Sequence, residues 1–89
     1  MTWKIKYLKS LQKEMRKIPQ NEQQRIKEYL EKKILPSDNP RQFGKPLKGE
    51  HSNFWRYRVG NYRIICEIED VSITILVIRV GHRKAIYRN

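Results

Sequence analysis

The chain has 89 residues, 33% of them charged, and a formal net charge of +11. That length fits one small domain, residues 1–89, with a modest core. So large a positive charge on so small a surface suits polyanions (nucleic acid, an acidic protein or an anionic membrane), and charge alone leaves the plainer alternative of a solvated basic surface equally open.

One cysteine, Cys66, leaves no disulfide framework, and one cysteine with two histidines does not make a protein-only zinc site. No apolar run approaches the roughly 20 residues of a membrane span. The N-terminus carries no apolar signal-peptide stretch. The expectation is a soluble, cytoplasmic protein with no membrane partner, no metal and no cofactor.

In chain order, residues 2–7 (TWKIKY) alternate Trp3, Ile5 and Tyr7 with Lys4 and Lys6, the pattern of a short half-buried strand. Leu8, Leu11, Met15 and Ile18 then recur at helical spacing, giving a helix to about Lys17 that Pro19 ends. Asn21 reads as the N-cap of a second helix, with Gln24 three residues on as in a capping box. Ile26, Tyr29, Leu30 and Ile34 form its buried stripe, and Pro36 and Pro40 stop it. Residues 36–50 are rich in turn formers and read as a loop. Strands follow at 53–59 and 61–69, joined by a tight hairpin turn at Gly60-Asn61. Glu69-Asp70 makes the next turn, and the apolar run 72–80 (SITILVIRV) reads as a central strand that Gly81 ends. The fold class is α+β in the order β-α-α-β-β-β. Its two N-terminal helices pack on one face of a small, mainly antiparallel four-stranded sheet.

The basic residues change character along the chain. Residues 1–40 hold eight Lys and two Arg, whereas residues 41–89 hold three Lys and seven Arg. Lysine is the usual residue of a solvated helix face; the planar arginine fork binds phosphate through two hydrogen bonds and stacks on bases. The segment FWRYRVGNYR (54–63) contains no carboxylate. In a strand, Arg56 and Arg58 share one face, about 7 Å apart, while Trp55, Tyr57 and Val59 share the other. Burying unpaired arginines is very costly, so the helices are expected on the Trp55 side and the arginine face is left open.

The segments KPLKGE, FWRYRVGNYRII and ILVIRVGHRKAIY resemble the RelE/ParE toxin superfamily, specifically its RelE branch, over essentially the whole chain. The resemblance implies the toxin of a toxin–antitoxin pair: a metal-independent endoribonuclease that enters the ribosomal A site, cuts the mRNA codon there and stops translation. It also implies a cognate small acidic antitoxin as partner, and the ribosome, through rRNA and A-site mRNA. Matched residue by residue, the family's catalytic positions fall on Arg56, Arg58, Arg63, Arg83 and Tyr87. The best-known relative carries lysine where this chain has Arg56 and Arg58, and the strand position often held by tyrosine is Cys66.

RNA cleavage through the ribose 2′-hydroxyl needs a base for that hydroxyl, cations for the growing charge and an acid for the leaving oxygen. Arg63 and Arg83 suit a phosphate clamp, and Tyr87 suits stacking on a base or donating a hydrogen bond. Arginine does not deprotonate, so Arg56 and Arg58 keep charge stabilisation without supplying a base. Imidazole ordinarily titrates near neutrality, so His82 is the acid–base candidate, against a surface or packing histidine. Lys45 and Lys48, flanking Pro46, and Arg79 are candidate RNA contacts; solvated lysines, and a surface or antitoxin contact for Arg79, are their plainer readings. Two further functions stay open: a ParE-type poison of DNA gyrase that cuts no RNA, and a non-catalytic basic adaptor.

Overall fold

The computed structural model describes residues 3–47 and 53–82. The chain runs through β1 (Lys4–Tyr7), α1 (Leu11–Arg16), α2 (Gln20–Glu28) and a π-helical turn that prolongs α2 over Tyr29–Ile34. A 3-10 turn (Pro40–Gln42) leads to β2 (Lys45–Pro46), then to β3 (Phe54–Val59), β4 (Tyr62–Glu69) and β5 (Thr74–His82). The strands form one sheet in the order β1-β5-β4-β3-β2. β1 lies parallel to β5, and the other neighbours are antiparallel.

One sheet face and the helices enclose the core. Leu11, Met15 and Ile18 come from α1 and the turn after it; Ile26, Leu30 and Ile34 come from α2 and its π turn. They meet Tyr57 and Val59 of β3, Ile64 and Cys66 of β4, and Ile75, Val77 and Val80 of β5. Ile26, Leu30 and Ile34 recur every four residues, so one helical stripe is fully buried. Each such side chain contributes about 1.5–3 kcal/mol on burial, which is what holds so short a chain folded.

The α+β class and the helix-covered face match the sequence reading; several boundaries differ for local reasons. Leu8 precedes α1 and is 37% exposed, because α1 starts only at Leu11. The N-cap of α2 is Pro19, not Asn21: the extended backbone at Pro19 opens the helix, and its carbonyl accepts from the amides of Glu22 and Gln23. The Gln23 side chain reaches back to donate to the Ile18 carbonyl at 2.7 Å. The sheet has five strands rather than four, because Lys45–Pro46 pairs with Arg56 and Trp55 at the edge of β3.

β5 is displaced from the expected 72–80 to 74–82. Ile73 adopts φ 51°, donates to the Asp70 carbonyl, and so belongs to the turn. At the other end Gly81 does not stop the strand, which stays paired through His82 opposite Tyr62. The ladder also carries a bulge. Ile65 pairs with Arg79 but Cys66 pairs with Val77, leaving Ile78 as the extra residue. Plain alternation from the buried Val77 would send Arg79 into the core; with the bulge Val80 is buried instead.

Candidate functional site

Alternation along β3 sets out the site. Tyr57 and Val59 are buried toward the helices, which leaves Arg56 and Arg58 on the opposite face with Arg58 exposed. Cross-strand register aligns the neighbours: Lys45 stands beside Arg56, Arg58 beside Arg63, and Arg63 beside Gly81. Lys45, Arg56, Arg58 and Arg63 therefore line one concavity, together with Gly44 and Tyr57, and among the described residues that line it none is acidic. Clustered like charge raises the local potential and attracts a polyanion. Guanidinium groups on adjacent rigid strands can grip phosphate oxygens through paired hydrogen bonds.

Lys45 reaches this cluster because the helix-side residues of β3 hold the loop that carries it. The Tyr57 hydroxyl donates to the Pro40 carbonyl at 2.8 Å, and its ring meets Tyr29 edge-on with centroids 6.1 Å apart. Burial pushes the Tyr57 phenol well above its ordinary range, so it stays a neutral donor. The Trp55 indole donates to the Phe43 carbonyl. Between these anchors Gly44 takes φ +70°, and a Cβ there would lie 2.2 Å from the Arg56 carbonyl oxygen. Only glycine lets the loop approach β3 closely enough for Lys45 to pair with Arg56. Arg41 adds a two-pronged bridge to Asp70, at 2.8 and 2.9 Å, which holds the Asp70 carboxyl below the usual carboxylate range.

The sheet does not bring every candidate to this face. His82 stands beside Tyr62 on the helix side, with ring centroids 5.8 Å apart. It lines a second concavity with Glu14, Lys17, Ile18 and Arg79. Arg79 pairs there with Glu14, its Nε 3.3 Å from the carboxylate, and the Val80 amide donates to the other Glu14 oxygen at 3.0 Å. Cys66 is fully buried, and burial pushes its thiol well above its ordinary pKa, in keeping with a small core residue. Arg83, Tyr87 and Lys48 lie outside the described residues. Among the described residues no three of His, Cys, Asp and Glu gather as a metal would need. No described helix is long and apolar enough to cross a membrane.

Sequence reasoning missed two positioning residues. Gly44 was legible only as one turn former in a loop, and Glu14 only as one charge on a helix. The first needs the β2–β3 approach to be seen, and the second a partner 65 residues away.

Residues 3–87 match the family model described as ParE toxin of type II toxin–antitoxin system, parDE. The chain is 38% identical over 86 residues to toxin RelE3 of Methanocaldococcus jannaschii, covering 94% of each chain. It is 28% identical over 88 residues to toxin RelG of Mycobacterium tuberculosis, covering 99% of each. Among solved structures it resembles the toxin–antitoxin complex RelBE2 of M. tuberculosis at TM-score 0.81 and 25% identity, covering 93% of this chain and all of that one. It also resembles the RelB–RelE complex of Methanococcus jannaschii at TM-score 0.72 and 36% identity, covering 92% and 94%.

Proposed function

The chain belongs to the RelE/ParE toxin superfamily, in its RelE branch, and from that premise we propose that it is a ribosome-dependent mRNA endoribonuclease. The observation that carries this reading is the concavity that gathers four cations, Lys45, Arg56, Arg58 and Arg63. Arg83 and Tyr87 complete the proposed site by the family match.

In the proposed reaction the ribose 2′-oxygen attacks its own 3′-phosphate. The O2′–P bond forms, the P–O5′ bond breaks, the 2′-proton passes to a base and a proton passes to the leaving 5′-oxygen. Arg63 and Arg83 hold the non-bridging oxygens, while Arg56, Arg58 and Lys45 add to the positive field that stabilises the negative charge growing on the phosphoryl oxygens. A substrate hydroxyl is the nucleophile, so the reaction calls for no activated water. His82 faces the helix side, so the arginine face works by charge and positioning, with water or the ribosome taking the proton. The ribosome would also supply geometry, by distorting the mRNA in its A site.

Mapping mRNA 5′ ends after induced expression tests this directly. New ends within codons and arrested translation are expected from the wild type and not from Arg63→Ala or Arg83→Ala. Purified protein should cut ribosome-bound mRNA well and naked RNA poorly; equal rates on both would count against the mechanism. The family description, naming parDE, favours a second reading, poisoning of DNA gyrase. DNA damage with intact mRNA would establish that reading instead.

Relatives solved as complexes with RelB support a cognate antitoxin as partner. A net charge of +11 calls for a small acidic protein, anchored by apolar contacts, with charge chiefly raising the association rate. Added salt should slow association more than it speeds dissociation. Affinity indifferent to salt, for a neutral or basic partner, would oppose this.

A further inference from the structure

Gly81 sits inside a strand that continues beyond it, and a glycine there weakens pairing and offers no side chain to pack. Its backbone does not explain the choice, since positive φ among the described glycines falls at Gly44 and Gly60. Its neighbour does. Gly81 pairs directly with Arg63, which on its other side pairs with Arg58. Paired Cβ positions in a sheet lie about 4.5–5.5 Å apart, so a side chain at 81 would stand against the Arg63 stem. That stem lies low: Arg63 Nε is buried, while the residue still lines the concavity shared with Lys45, Arg56 and Arg58.

The geometry points to Gly81 as a positioning residue for Arg63. With no side chain opposite it, the arginine stem can lie flat on the sheet, which fixes the direction in which its guanidinium enters the concavity. A side chain at 81 lifts the stem, and the guanidinium becomes a mobile surface cation. Gly81 itself touches no substrate in this account. The consequence for cleavage rests on the endoribonuclease reading; the consequence for Arg63 does not.

The test is a double-mutant cycle with Gly81→Val and Arg63→Ala, read as single-turnover cleavage of ribosome-bound mRNA, together with proton exchange at the Arg63 Nε–H by NMR. Valine is a strong strand former, so Gly81→Val should melt at or above the wild-type temperature. Gly81→Val should slow cleavage about 10-fold or more when Arg63 is present, part of the ~10²–10³ that loss of one such donor produces. In the Arg63→Ala background the same change should slow it less than about twofold, because the group it acts through is gone. Equal losses in both backgrounds overturn the proposal and mean that Gly81 makes room for substrate directly. Arg63 Nε–H should exchange slowly in the wild type and fast in Gly81→Val. If Gly81→Val fails to fold, Gly81→Ala takes its place in the same measurements. Should the wild type leave ribosome-bound mRNA whole, exchange alone decides: faster exchange in the variant supports the placement, and unchanged exchange overturns it.

Discussion

On the side that meets the helices, Tyr57, Ile64, Cys66, Ile68, Ile75 and Val77 are fully buried; one residue along the same strands stand Arg56, Arg58 and Arg63. The two faces share a backbone and a set of hydrogen bonds, and differ only in the parity of the residues each receives. Folding draws on the first set and leaves the second free to collect charge. Four cations on one small face would be intolerable if those positions had also to fill a core. The helix-covered face also does service for the open one, since Tyr57 and Trp55 reach across to pin the loop that delivers Lys45.

The sharpest way to break this division is to truncate one residue of each parity. Ile64→Ala should lose about 2–5 kcal/mol of stability in urea denaturation, enough to unfold much of a small domain. Arg58→Ala, exposed on the same hairpin, should stay within about 0.5 kcal/mol of the wild type. Comparable losses would show that the open face also carries folding energy. Arg63→Ala should reduce single-turnover cleavage by about 10²–10³, roughly 2.7–4 kcal/mol of barrier, while ribosome binding persists. Gly44→Ala tests the joint between the faces. Strain at a positive-φ position and collision with the Arg56 carbonyl should lower stability by about 1–3 kcal/mol, and NMR should report Lys45 displaced from Arg56. His82→Ala should fall short of the ~10²-fold loss that removal of an acid–base group produces; a larger loss in a folded, ribosome-bound variant would place proton transfer on the helix side.

The smallest effect expected is that of Asp70→Asn. The Arg41 guanidinium depresses the Asp70 carboxyl, so the pair stabilises the fold above the ordinary carboxylate pKa. That contribution disappears as pH falls through the lower folded-state value. With the Asp70 side chain 61% exposed, screening holds the effect to about 0.2–1 kcal/mol at pH 7. The difference between wild type and variant in thermal melts should therefore vanish in strong acid; a difference that persists there would locate the effect elsewhere.

Much of this was legible beforehand because the strongest signals are periodic. FWRYRV alternates cleanly, so the two faces of β3 and the openness of the arginine side followed from the chain alone. The stripe Ile26, Leu30, Ile34 likewise announced α2. Features that depend on a distant partner were not legible. Lys45–Pro46 is too short to show a period, and it is a strand only because Gly44 brings it against Arg56. Ile73, β-branched, looked like the start of a strand, yet it closes a turn at positive φ. Gly81 looked like a stop signal because glycine usually is one; its partner Arg63 stands on another strand. The partnership of Arg79 with Glu14 depends on the bulge, which no local pattern in SITILVIRV betrays.

That bulge has a consequence for how the chain tolerates changes in length. β5 contains one residue more than its ladder uses, Ile78. Deleting it would convert the irregular pairing into a regular one, leaving Val80 inward and Arg79 and Gly81 with the neighbours they have now. The same deletion at Ile65 in β4 would exchange the faces of everything beyond it, setting Glu67 against the helices and Cys66 and Ile68 in water, because a one-residue slip reverses the side of every later side chain. Ile78 is thus a spare letter in an otherwise strictly phased text: its loss leaves the frame intact.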